Sequence, residues 1–555
     1  MNKSGSLISQ LFSIRNRYGK EFSSQKLNLL HALGREKITS KTALQSYYDS
    51  LLFLLAYPDN RSIYQLANQS LQQLQLYIQS HETIKERLYN SGITNTRLCA
   101  AFSFEIVKWL RNRHPKDTRF HSFEADDGQI QSILAVVMPR VESEILLDTH
   151  NAWRSWLQQS LKEGEDMLDR LIAVFDETDI RPGVRDELWV AIGINVEIDF
   201  PSHHCLPGSL IAPYYHRSLV KKNFIQQQHD AKPSQVRLDE PEAEYIIECS
   251  RMILVRQLRE IDPITFTASH FVSYYRLPRG LSIALMGMVP ERRSPIDSYM
   301  GYVVFKNGLP VAYAGSWILF DSGRIGLNVF PAYRGGESQY IFEQVLKLHS
   351  EVYQLNRFSV DPYQVGKENS DAIQSGAFWI YYRAGFRPMG EEQKQLAEAE
   401  ALKIKSIKGY RSPAPVLKKL ADSRLEIVLK KNTVRFDATD LSLVYARILK
   451  DQYNDNRNLA EEHCFTKLIE WLQVKNYHEE TLQFILKNWC VLLLSNEPAY
   501  RAGRQELRRD NGLKKILKKL FELKARGAEE DYIVELQRAE ELKKFFDRLL
   551  KENVG

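Results

Sequence analysis

The residues best suited to chemistry lie in NVFPAYRGGESQYIF, positions 328–342. An apolar strand runs into Pro331, an Arg-Gly-Gly loop follows, and a helix begins. A loop of this kind turns several backbone N–H groups towards one point, and the helix behind it adds the positive end of its dipole. Glycine lets an anion approach the backbone closely. Arg334, Gly335, Gly336, Glu337 and Ser338 are thus candidates for holding a pyrophosphate, with Val329 contributing from the strand. Other groupings point to less. Adjacent histidines in an extended segment face opposite sides, so His203, His204, Cys205 and His216 do not form a metal site. Ser316 lacks the G-x-S-x-G setting of a hydrolase nucleophile. Neither a P-loop nor a dinucleotide fingerprint nor a metalloprotease helix occurs.

The elements around the loop read as a mixed, mostly antiparallel sheet with helices. SIALMGMV, YMGYVVF, VAYAGSWILF and RIGLNVF are short aliphatic and aromatic runs divided by Lys306-Asn307-Gly308 and Asp321-Ser322-Gly323, the pattern of strands joined by hairpins. SQYIFEQVLKLHSEVY then reads as a helix, RFSV as a strand ending at Asp361-Pro362, and NSDAIQSGAFWIYYRA as a second helix closed by Gly385-Phe386. A charged helical insertion and a last strand, SRLEIVLKK, complete this unit at 263–432. Residues 1–262 and 433–555 read as all-α regions, with apolar stripes such as Ile63, Leu66, Ser70, Leu74 and Tyr77. The expected class is α+β with helical regions on both sides.

The central unit resembles the GNAT superfamily of N-acyltransferases. In that family the loop after the fourth strand binds the pyrophosphate of acyl-CoA and follows the pattern Arg or Gln, two residues, Gly, one residue, then Gly or Ala. Aligning Arg334 first puts Glu337 at the first small position and Gln339 at the second. A carboxylate within about 4 Å of a phosphate costs about 4 kcal/mol at an effective dielectric near 20. Glu337 either bears that cost or turns to solvent and leaves the backbone donors intact. QSGAFWIYYRAGF, 374–386, is similar to the family's later helix, with Gln374 at the usual Asn position, Ala377 and Tyr381 matching, and Gly385-Phe386 closing it.

The resemblance implies that the fourth and fifth strands splay to hold the pantetheine arm. It also implies that Tyr381 protonates the departing thiolate. Asp361, at the mouth of the splay, either deprotonates the incoming amine or caps the turn it begins. Acetyl-CoA or another acyl-CoA is the implied co-substrate, with no metal, and the acceptor is an amine. Two alternatives stay open. One is a non-catalytic GNAT-like scaffold that binds a protein partner through its helical flanks, prompted by Glu337 and Gln339. The other is a transferase that draws on aminoacyl-tRNA, compatible with the lysine face Lys514, Lys515, Lys518 and Lys519.

Bulk properties bound these readings. At about 100–200 residues per domain, 555 residues suggest three or four domains. A net charge of +6 spread over such a length permits an anionic cofactor but does not call for nucleic acid. Five scattered cysteines without a C-x-x-C fit a reducing cytoplasm. The first twenty residues lack the apolar core of a signal peptide, and the run Leu51–Tyr57 is far short of the ~18 residues a membrane span needs.

Overall fold

The computed structural model describes residues 3–148, 152–199, 205–220, 232–430, 435–475, 479–494 and 511–554. Its centre is a ten-stranded sheet. The strands are β4 (Ser234–Val236), β5 (Val272–Leu277), β6 (Leu281–Met286), β7 (Ser298–Lys306), β8 (Leu309–Leu319), β9 (Ser322–Ile325), β10 (Asn328–Val329), β11 (Arg357–Val360), β12 (Arg387–Pro388) and β13 (Leu425–Val428). A second sheet, of three strands, is formed by β1 (Arg97–Ala101), β2 (Thr118–Phe123) and β3 (Ile194–Asp199).

The order in the large sheet is β12-β13-β11-β9-β8-β7-β6-β5-β4, with β10 on β8 beyond the end of β9. Every pairing is antiparallel except that of β9 with β11. Asn307 and Gly308, with φ of 47° and 82°, make the tight β7–β8 hairpin that the Asn-Gly pair signals. The helix Ser338–Val352 lies against one face of the sheet. His349 from that helix accepts a hydrogen bond from Ser316 of β8 at 3.0 Å, and its ring meets Tyr302 of β7 edge-on. Tyr340–His349 are buried without a break, so this helix is enclosed rather than amphipathic.

The N-terminal region is not a separate helical bundle. Helices Lys3–Ile14, Lys20–Leu33, Lys41–Ala56 and Arg61–Gln79 share one core with the sheet. Ser50–Ala56 is buried on every side because its helix lies between Arg61–Gln79 and the sheet. Asn60 caps Arg61–Gln79 by accepting from the Ile63 N–H at 3.0 Å. The small sheet β1-β3-β2 was expected to be helical. It forms because Ile194, Val196 and Ile198 alternate, burying one face among Phe104, Phe175 and Trp189.

The C-terminal helices, from Ala438–Tyr453 to Glu540–Val554, build a third core around Trp489, Phe521 and Phe546. They are tied to the sheet through the segment 293–298. The Lys524 ammonium donates to Asp297 O at 2.8 Å, Trp489 Nε1 donates to Pro295 O at 2.9 Å, and Glu529 pairs with both Lys524 and Arg293. On the expected lysine face, Lys519 is paired with Glu535 at 2.6 Å and Lys514 and Lys518 are half-buried. Among the described residues, no helix is long and apolar enough to cross a membrane.

Candidate active site

The site begins at one peptide unit. β9 is paired on both sides, with β8 and in parallel with β11, where the register Arg357↔Ser322, Phe358↔Gly323 and Ser359↔Arg324 ends the contact. Past this point β10 stays on β8, with Asn328 opposite Tyr313 and Val329 opposite Ala312, and is not paired with β11. The break falls at Gly326-Leu327. The Gly326 carbonyl accepts from the Tyr302 hydroxyl, and the Leu327 N–H of the same peptide donates to Tyr381 Oη at 3.2 Å. Phe330 N donates to Val311 O at 3.0 Å. By the alternation of an antiparallel ladder, the N–H groups of Leu327 and Val329 therefore face the gap between β10 and β11.

What ends β11 is chemistry in the chain itself. Pro362 has no N–H to offer a ladder, and it opens the short helix Pro362–Val365. Asp361 caps that helix, accepting from the Tyr363 N–H at 3.0 Å, as the turn reading expects. Asp361 also lines a cavity of about 300 Å³ on the sheet face opposite the helix Ser338–Val352. Tyr299, Gly315, Trp317, Arg324 and Asn328 line it as well. Tyr299 and Trp317 stack with ring centres 4.0 Å apart and planes 3° from parallel. A side chain at 315 would enter the Tyr299 ring, since a Cβ there would lie 2.3 Å from it, so glycine makes room for this shelf.

Tyr381 is buried under Phe342, whose ring meets it edge-on at 4.9 Å. Burial raises its pKa, which keeps the phenol protonated, and its oxygen sits at the edge of the gap. Gln374 is not brought to the same place. Gly376, at φ 65°, divides the expected single helix into Ser370–Ser375 and Phe378–Arg383, and Gln374 is exposed on the first of these. The single helix expected over 369–384 is thereby corrected to two, with Gln374 at the surface.

The loop 334–338 carries a second correction. Glu337 does not turn to solvent and does not face the outer surface of the loop. Its carboxylate is buried, accepting from Lys306 Nζ at 2.8 Å, from Arg279 Nη2 at 2.6 Å and from the Val220 N–H at 3.0 Å. Burial alone pushes its pKa up, but the charge and hydrogen bond of Lys306 outweigh it and hold the carboxyl below its usual value. Burial in turn brings Lys306 down to about 8 against the pull of Glu337. His216 lies in the same cluster, where burial and then the charge of Lys306 bring it down to about 3.

The rest of the loop is gripped from the N-terminal helices. Arg15 donates to Arg334 O at 3.2 Å and Asn16 to Gly335 O at 3.3 Å. A Cβ on Gly336 would lie 2.8 Å from the Tyr57 ring, so the loop approaches the helix Lys41–Ala56 closely there. Gly335 takes φ of 86°, a conformation only glycine adopts freely. The Arg334 side chain is half-exposed, 3.7 Å from Asp371, and Ser338 opens the helix half-buried. Arg383 reaches the same helix start, donating to Gln339 at 3.3 Å.

Ser316 and His349 are both buried, so their hydrogen bond offers substrate no nucleophile. Burial brings His349 down to about 4, and it stays neutral. No metal-binding group of three or more ligands occurs among the described residues, and His203 and His204 lie outside them. Tyr302, Arg324, Tyr299 and Trp317 were not singled out from sequence. Their shared signal is alternation along β7, β8 and β9, which becomes visible only once the register is known. Compared with family models, with curated proteins and with solved structures, the chain matches none.

Proposed function

We propose that this chain is an N-acyltransferase of GNAT-like architecture, moving an acyl group from acyl-CoA to an amine. One observation carries the reading: the β9–β11 pairing ends at Arg324 and Ser359, beyond which the Val329 N–H faces away from β8 and the Leu327 N–H is held by Tyr381. That is the place where the resembled family holds the pantetheine arm. The inward turn of Glu337 removes the main objection to the loop. With its carboxylate held by Lys306 and Arg279, the outer surface is spared the repulsion of about 4 kcal/mol that a facing carboxylate brings. Arg334, half-exposed and only loosely paired with Asp371 at 3.7 Å, would turn to a phosphate there.

In this reading the amine nitrogen attacks the thioester carbonyl, a C–N bond forms and the C–S bond breaks. Asp361 takes the amine proton, directly or through water. Tyr381 gives its proton to the departing thiolate and regains one from water.

A second reading, a non-catalytic scaffold, is favoured by the grip of Arg15, Asn16 and Tyr57 on the loop. Calorimetric titration of the whole chain with acetyl-CoA and with a longer acyl-CoA separates the two. Micromolar binding supports the transferase. No binding by a cooperatively folded sample removes it and leaves the scaffold.

A further inference from the structure

The aromatic shelf, the guanidinium and the carboxylate of the 300 Å³ cavity form a set, and their arrangement follows from register. Tyr299 on β7 stands opposite Trp317 on β8, Trp317 opposite Arg324 on β9, and Arg324 opposite Ser359 on β11. Residues directly opposite one another share a face, so these four make one row across the sheet. Asp361 lies two residues along from Ser359, just past the end of β11, and lines the same cavity.

Arg324 is the unusual member. Two of its neighbours in the adjoining crevice are already neutralised: Arg357 pairs with Glu426 at 2.7 Å and Arg424 with Asp437 at 2.6 Å. That crevice, at about 40 Å³, is too small for anything beyond a water or two. Arg324 is half-buried, with its guanidinium 5.8 Å from the centre of the Trp317 ring. Among the described residues it has no carboxylate within ion-pair reach, Asp361 included. A half-buried cation beside an aromatic shelf attracts a bound anion, because a planar guanidinium meets a carboxylate through two parallel hydrogen bonds. Asp361 offers the opposite charge in the same cavity, which Gly326 and Asn328 also line.

We propose that the cavity binds a free α-amino acid as the acyl acceptor. Its carboxylate meets Arg324, its amino group meets Asp361, and its side chain lies along Tyr299 and Trp317. The volume is at the small end of the range for ligand pockets, which suits a single amino acid better than a folded partner. This inference rests on the transferase reading for its role, but the binding it asserts does not.

The test is equilibrium binding in the absence of any acyl-CoA, using L-phenylalanine, L-leucine and L-glutamate, each beside its α-carboxamide. The parent should bind at least one acid about ten- to a hundredfold more tightly than its amide, the difference a charged hydrogen-bonded pair makes. In Arg324→Gln that ratio should fall to about one while amide binding is unchanged. Arg324→Lys, which keeps the charge but not the fork, should give an intermediate ratio. Among the described residues Arg324 has no ion-pair partner to lose, and thermal melts of both variants check the fold. Equal binding of acid and amide by the parent, or a ratio that survives Arg324→Gln, overturns the proposal. Acid preference in a protein that does not bind acyl-CoA would uphold this site and remove the transferase reading. Acyl-CoA binding with no acid preference would remove this inference alone.

Discussion

At the scale of single residues the account turns on Tyr381. Its oxygen accepts the Leu327 N–H, and in the proposed reaction its proton goes to the departing thiolate. Tyr381→Phe should lower turnover by about 10²–10⁴ and leave the affinity for acyl-CoA unchanged, because the hydroxyl acts on the leaving group. The same change strands a buried N–H and should cost about 1–3 kcal/mol of stability in denaturant unfolding. Equal losses in kcat and in affinity would make Tyr381 a strut and not an acid. Tyr381 was legible because Tyr-x-x-x-Gly-Phe is a local pattern on one short helix. Gln374 was misplaced because the spacing assumed an unbroken helix, and Gly376 breaks it. Arg324 and Tyr299 were not legible, since what unites them is strand register and not proximity in the chain.

At the scale of elements, the start of the helix Ser338–Val352 is fixed by a buried cluster rather than by a capping side chain. Glu337 stands before its first turn, between Lys306 of the β7–β8 hairpin and Arg279. Removing one member of such a cluster leaves its partners charged and buried. Glu337→Gln should therefore destabilise the protein by about 3–5 kcal/mol at neutral pH. The pH dependence has a definite sign. The folded-state pKa of Glu337 lies below its ordinary value of 4.5, so its stabilisation is fully present above 4.5 and is lost as pH falls through the folded pKa. As read by denaturant midpoints, the gap between parent and variant should narrow as pH falls below about 4.5. A gap that fails to narrow below that pH would contradict the assignment.

The strands β6 to β9 were legible from apolar runs cut by Asn-Gly and Ser-Gly. β4 was not, being three residues long and paired only with β5 at the sheet edge. The Glu337 partners escaped notice for the same reason as Arg324: Lys306 and Arg279 meet it only through the fold.

At the scale of the whole molecule there are three cores, and the first four helices belong to the central one. A sequence boundary at 262 was drawn on a change of pattern from helix to strand. The first four helices pack across it, because Leu51–Ala56 is apolar all round and is covered on two sides, once by the sheet. The same packing brings Arg15, Asn16 and Tyr57 onto the 334–338 loop, so the loop proposed to hold the donor is tied to the N-terminal helices. The central claim is that an acyl-CoA lies between β10 and β11 with its pyrophosphate on that loop. Hydrogen–deuterium exchange of the full chain, with and without saturating acetyl-CoA, tests it most directly. The account predicts slowed exchange in 327–341 and 357–364, with the C-terminal helices unchanged. Protection confined to the helical flanks, or none in the strand gap, would contradict it.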